Sequence, residues 1–314
     1  MVIAMKKVFI VGSEGTTGLR LFKRLDARSD VELLSIDEKL RKDPNEIRRV
    51  LEKADYAFLC LPDKAARTIA ELAESLPVKI IDSSTAHRTS ENWAYGFPEL
   101  SDKHLADIKT AKRVAVPGCH ASGFISLIYP LIAENILPLN ATLSCTSLSG
   151  YSGGGKKMIA EYEASDRMKL LESAKLYSMD REHKHLPEIT TQCSLTKAPA
   201  FMPIVSDYYS GMLVTVPLHI SQLNKGYSQE EIRMFYKKYY SGSGIVKVAD
   251  KAQASVYSGF YSGYDGMEIS VSGSGEEVLL CSNFDNLGKG ASAAAVECFN
   301  IMCGLRPDYG LKLS

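Results

Sequence analysis

The chain opens with a short apolar run at residues 7–11, a polar glycine-rich turn, and a helix-like recurrence of apolar residues from about Thr17 to Leu25. A second apolar segment follows at 31–35, so strand, helix and strand succeed one another as in a βαβ unit. The pattern repeats. Apolar runs at 55–62 and 78–84 flank the helical stretch KAARTIAELAESL, and another run lies at 113–118. Strands alternating with helices predict a parallel sheet covered on both faces, whose ligands bind outside the carboxyl ends of the strands. Cys60-Leu61-Pro62, Ser83-Ser84 and Pro117-Gly118 stand at those ends.

Past residue 118 the period shortens. Residues 141–150, 210–220, 244–250 and 266–273 alternate or run rich in β-formers, while SQEEIRMFYKKYY at 228–240 is helical, with Ser228 as N-cap and Glu231 three residues on. A last helix rich in small residues spans about 289–305. The fold class expected is therefore α/β, in two parts. A Rossmann-type dinucleotide-binding domain takes residues 1–118 and 288–314, and an α+β, mainly antiparallel domain for catalysis and oligomerisation takes 119–287.

Charge and composition narrow the setting. Lys and Arg total 37 and Asp and Glu total 37, so no general attraction to nucleic acid or an anionic membrane is expected. No stretch approaches the roughly 18 apolar residues of a membrane span, and a soluble cytoplasmic protein is expected. The seven cysteines form no CxxC pair, which suggests reduced thiols rather than disulfides or a zinc site.

The turn Gly12-x-x-Gly15-x-x-Gly18 differs by one residue from the usual dinucleotide spacing. Such a turn also suits an ordinary tight loop; its place between a strand and a helix is what points to a pyrophosphate facing a helix N-terminus. For any one cysteine a buried core position is the default. Cys119 differs because it follows Pro117-Gly118 and opens the helical stretch 120–136, where unpaired N–H groups and the helix dipole lower a thiol pKa. It is either a nucleophile or a small residue filling a tight turn. HKHLPEI supplies His183, His185 and Glu188, which suit proton transfer to a distant cysteine's substrate, a metal, or a structural role. In an extended segment the two histidines would face the same way. Arg88 beyond the strand at 78–84 could hold a phosphate or carboxylate, and the loop SLSGYSGGGKK at 147–157 could donate N–H groups to an anion.

GSEGTTG, CLPDKAA, IDSSTAHR, YGFPEL, VAVPGCHASG, SGYSGGGKKMI, HKHLPEI and FDNLGKGASAAA occur in one order along the chain. In these stretches it resembles the short-chain type of N-acetyl-γ-glutamyl-phosphate reductase, related to aspartate-semialdehyde dehydrogenase. The resemblance implies an NADPH-dependent reductive dephosphorylation in arginine biosynthesis, yielding N-acetylglutamate 5-semialdehyde through a thioester on Cys119, with His183 as acid/base. It implies Arg88, Ser149, Gly150, His185 and Glu188 near the substrate. The cofactor is expected against Gly12, Ser13, Gly15, Thr16, Thr17, Gly18, Ser35, Cys60, Leu61, Pro62, Ser84 and Asn286, with no metal and a homodimer or homotetramer as the assembly. Ser35, Lys39, Arg41 and Lys42 could meet a 2′-phosphate, whereas Asp37 could bind the ribose hydroxyl of NAD. An acyl-phosphate reductase for an aspartyl or aminoadipyl substrate would keep the same Cys and His. A non-catalytic NADP-binding regulator would need neither.

Overall fold

Strand β1 (Lys6–Val11) buries Val8 and Ile10 in one apolar cluster and Phe9 and Val11 in another, as a strand covered on both faces must. It belongs to a computed structural model that describes residues 5–313 and divides into two units. The first runs to Pro117 and takes back Ala294–Leu311; the second holds Gly118–Ala293 and the C-terminal residues from Lys312.

In the first unit β1 is followed by α1 (Thr16–Asp26), β2 (Val31–Leu34), α2 (Pro44–Leu51), β3 (Tyr56–Leu59), α3 (Asp63–Leu72), β4 (Lys79–Asp82), β5 (Ala94–Tyr95), α4 (Asp102–Thr110) and β6 (Arg113–Ala115). The strands form one wholly parallel sheet in the order β2-β1-β3-β4-β6-β5. Leu21 and Leu25 of α1, Ile108 of α4 and Phe299 join the cluster of Val8; Ile47 and Val50 of α2 and Ile69 of α3 join that of Phe9. Each such side chain stabilises the unit by about 1.5–3 kcal/mol. The expected alternation of strand and helix is present. Two-residue β5 is too short for periodicity to register, and α2 starts on local chemistry, with Asp43 accepting from Asn45 N–H and Pro44 at the first turn.

The second unit contains α5 (Cys119–Ala133), β7 (Ser144–Gly150), α6 (Gly155–Glu163), β8 (Lys175–Leu176), α7 (Leu186–Gln192), β9 (Ala200–Ser206), β10 (Met212–His219), α8 (Gln229–Tyr239), β11 (Val246–Val248), β12 (Met267–Ser274) and β13 (Glu277–Phe284). Its strands run β11-β12-β13-β10-β7-β9-β8, parallel only at β11/β12 and β7/β9. Helix α5 is apolar nearly all round, and it is buried accordingly. Pro130 lacks the N–H that would bond the carbonyl of Ser126. The Tyr240 hydroxyl donates to that carbonyl instead, at 2.8 Å, so the proline is tolerated inside the helix. The predicted cap of α8 forms as a reciprocal box between Ser228 and Glu231. On one face of the sheet Leu148, Ile204 and Leu213 are only half-buried, and Met202, Pro217 and Leu279 are exposed.

The chain does not become α-helical at 289. Residues Gly288–Ser292 form a π turn in which the N–H groups of Gly288 and Gly290 both donate to Asp285 O, and α9 (Ala293–Met302) begins after it. A side chain at Gly290 would stand 2.9 Å from Cys119 Cβ, so this turn is shaped by its approach to α5. Residues 288–293 consequently pack with the second unit, and the return to the first falls at Ala294 rather than 288.

Candidate active site

In the first unit the glycine turn sits at the carboxyl end of β1. Gly12 has φ of 87°, and a side chain there would reach within 2.4 Å of Cys60 O and 3.0 Å of Leu61 Cδ2. Only glycine fits this crossing of two strand ends. The structure thereby brings Cys60 and Leu61 against the turn, with Pro62 as the N-terminal flank of α3. Gly15 caps α1 without a side-chain bond, no acidic residue occupies the first turn, and the buried Thr16 Oγ1 has no hydrogen-bond partner. Open N–H groups and an unpaired hydroxyl are what an anionic pyrophosphate would satisfy, so the residues fit a dinucleotide. Ser13 belongs to the same turn, Thr17 and Gly18 lie at the start of α1, and exposed Ser35 follows β2, the neighbour of β1. Asp37 turns its carboxylate onto Lys39 N–H at 2.8 Å, while Arg41 pairs with Glu14 inside the glycine turn.

Other expected residues of the first unit are engaged internally. Buried Ser84 donates its N–H and hydroxyl to Asp82, whose second oxygen also meets His87 Nδ1 at 2.6 Å. Arg88 is 7 % exposed; its Nε donates to Val116 O and its Nη2 to Ser83 O, both at 2.9 Å. The guanidinium joins the ends of β4 and β6. That is a main-chain tie rather than the open anion fork read from the sequence.

In the second unit Cys119 is the first residue of α5 and is partly buried. Gly118 caps the helix with no side-chain bond of its own, and its N–H donates to Glu188 Oε1 at 2.9 Å, so buried Glu188 fixes the backbone directly ahead of the thiol. Burial pushes the thiols of Cys60, Cys145, Cys193, Cys281 and Cys303 up, Cys60 to about 12. Cys298 is fully buried with Sγ against Gly96 O. Cys119 is thus distinguished by position from the core thiols.

His120, the residue after Cys119, converges with His183 and His185, ring centroids 4.9–5.5 Å apart. The segment carrying His183 is not extended. Leu186 N–H donates to His183 O, and His185 N–H donates to His183 Nδ1 at 3.2 Å, so a turn into α7 gathers the two rings. The Tyr177 hydroxyl lies 2.9 Å from His120 Nε2 and 3.5 Å from His183 Nε2. Burial, and secondarily the charge of Cys119, raise the Tyr177 phenol. Burial and the Lys184 charge lower His183 to about 4, and burial lowers His120 to about 3. Both imidazoles are neutral at pH 7, so no near-neutral ionisation belongs to His183 in the substrate-free protein. Sequence reasoning missed Tyr177 and His120. The motif GCH displays the histidine, but only the β8/β9 pairing and the turn beyond it bring Tyr177 to it.

Buried Ser149 donates to Gly150 O, and Gly150 N–H bonds Gly211 O. The Asn286 amide is held internally, Oδ1 accepting from Gly211 N–H at 2.9 Å and Nδ2 donating to Ser152 Oγ at 3.0 Å. It fastens the loop 150–154 instead of standing open to a ligand. Among the described residues no group of three or more His, Cys, Asp or Glu is placed to hold a metal.

A doubly covered parallel sheet with a glycine turn, joined to a second unit that opens on a helix-start cysteine, defines a semialdehyde dehydrogenase. The family model described as semialdehyde dehydrogenase, NAD binding domain, matches residues 7–108, and that described as semialdehyde dehydrogenase, dimerisation domain, matches 119–286. The aspartate semialdehyde dehydrogenase of Francisella tularensis shares the fold at 15 % identity, with a TM-score of 0.72 over 95 % of this chain and 100 % of that one. The N-acetyl-gamma-glutamyl-phosphate reductase 2 of Nostoc sp. is 40 % identical over 97 % of this chain and 99 % of its own, and the N-acetyl-gamma-glutamyl-phosphate reductase of Rhizobium etli is 42 % identical over 94 % and 98 %. The chain belongs to the N-acetyl-gamma-glutamyl-phosphate reductase family.

Proposed function

We propose that the chain reduces N-acetyl-γ-glutamyl phosphate to N-acetylglutamate 5-semialdehyde with release of phosphate, in arginine biosynthesis. The observation that carries the roles is Cys119 at the start of α5, within electrostatic reach of Tyr177, whose hydroxyl in turn meets His183. The positive N-terminal end of the α5 dipole stabilises a thiolate, which attacks the acyl carbon. The C–S bond forms, the C–O bond to phosphate breaks, and a thioester remains on Cys119. NADPH, when bound at the glycine turn, supplies a hydride. The carbon so reduced carries an oxyanion held by the His183 N–H, and its C–S bond breaks to give the aldehyde and restore the Cys119 thiolate.

His183 acts in this scheme as a donor. Its Nδ1 is taken by the His185 N–H, so a neutral ring carries its proton on Nε2 and can donate to the carbonyl oxygen as negative charge develops there. Glu188 holds Gly118 and with it the helix start. Arg88 and Asn286 support the loops rather than the ligand. A thioester is needed because it accepts hydride where a carboxylate does not.

The assembly we propose is a dimer formed by the half-open sheet face. Leu148 pairs across to Ile204 and Leu213, and Pro217 to Leu279, giving an apolar band within the segment matched by the dimerisation model. No described helix is long and apolar enough to cross a membrane. None of the seven cysteines is in a disulfide, which suits the reducing cytoplasm. The test is the reverse reaction: N-acetylglutamate 5-semialdehyde and NADP should give NADPH only when phosphate or arsenate is present. Faster turnover with aspartate semialdehyde would transfer the reading to that substrate.

A further inference from the structure

We propose that His120 is a positioning residue: held between Ser147 and Tyr177, its ring turns the Tyr177 hydroxyl so that, before substrate binds, the phenolic oxygen receives Nε2–H of His183 and holds that ring aligned to pass the N–H to the substrate oxygen. The inference rests on the roles given above to Cys119 and His183.

The direction of every bond in the chain follows from one that cannot reverse. The backbone N–H of His185 only donates, so His183 Nδ1 accepts it and the neutral ring bears its proton on Nε2. Nε2 faces the Tyr177 oxygen at 3.5 Å, a long contact in which that oxygen must accept. The Tyr177 proton therefore points elsewhere. His120 Nε2, 2.9 Å away, takes it, and the neutral His120 ring then carries its own proton on Nδ1, 2.7 Å from Ser147 Oγ. The two histidines are thus opposite tautomers. Phe201 packs against both rings at 5.0 and 5.6 Å between centroids, and His185 closes the cluster. Beyond burial, His183 and Lys184 act electrostatically on His120, Lys184 on His183, and Cys119 on Tyr177. Burial favours the neutral state of His120 on which the relay depends.

A single donor paired with a single acceptor about two bonds apart is what His120 contributes, and a glutamine amide offers the same pair. Phenylalanine offers neither. Nitrogen-15 NMR of the histidine-labelled, substrate-free protein should show Nδ1–H for His120 and Nε2–H for His183. His120→Phe should lower kcat by about tenfold to a hundredfold with KM for the acyl phosphate within about threefold, and His120→Gln should restore kcat to within about threefold of wild type. Should His120→Phe fail to fold, Ser147→Ala removes the acceptor of Nδ1–H and should give His120 mixed tautomers. Identical tautomers in the two histidines, wild-type kcat in His120→Phe, a glutamine variant as slow as the phenylalanine one, or an unchanged His120 in Ser147→Ala would each overturn the proposal. Failure of the functional reading is distinguishable, because it would show as a wild-type protein without phosphate-dependent turnover while the tautomers are read without substrate.

Discussion

Lowering the pH should destabilise the second unit through His120 and His183. Both rings have pKa values far below the ordinary 6.5, His120 at about 3 and His183 at about 4, with burial the main cause. In the unfolded chain each regains its ordinary value. Between those limits the unfolded state binds more protons than the folded one, so the stability present above about pH 6.5 is lost as pH falls. At a pH of about 4.5 an unfolded imidazole lies about two units below its pKa, and at about 1.4 kcal/mol per unit each ring costs the fold about 2–3 kcal/mol. The measurement is thermal unfolding at about pH 7.5 and about pH 4.5 for wild type and His120→Gln. Glutamine removes one titration, so the variant should lose less stability on acidification, by about 2–3 kcal/mol or about 5–10 °C in Tm. Carboxylates such as Asp207, held low by Arg167, cancel in this comparison. Equal losses in the two proteins would refute the claim that His120 is buried as the neutral ring.

Cys119→Ser should abolish acyl transfer while leaving dinucleotide binding intact, and iodoacetamide inactivation should map to Cys119; modification tracking Cys60 would reassign the nucleophile. His183→Asn should lower kcat by about 10²–10⁴, whereas His185→Asn should act on KM or stability; the reverse pattern would exchange the two roles. NADPH should be preferred to NADH, because Asp37 caps its own turn and Arg41 stands beside Glu14 of the glycine turn. Arg41→Ala should raise KM for NADPH about tenfold and leave that for NADH nearly unchanged, and comparable kcat/KM for the two cofactors in wild type would sink the preference.

Much of this protein was written in local patterns. Apolar runs at 7–11, 55–62 and 78–84 required strands, because a parallel sheet buried on both faces needs continuous apolar segments, and Ser228 with Glu231 sufficed to start α8. The glycine turn and the Pro-Gly-Cys start of α5 were equally legible, since their chemistry lies between sequence neighbours. What only the tertiary structure decided is how each polar side chain is engaged. Arg88 read as open to an anion and the resemblance put Asn286 against the cofactor, yet main-chain and loop partners brought near by folding hold them. Tyr177 carried no signal beside His183 until β8 paired with β9, and His120 became part of the same network only where α5 met β7. Hydrophobic periodicity dictates which face of an element is buried. The partner of a buried donor is set by three-dimensional proximity, which no period along the chain encodes.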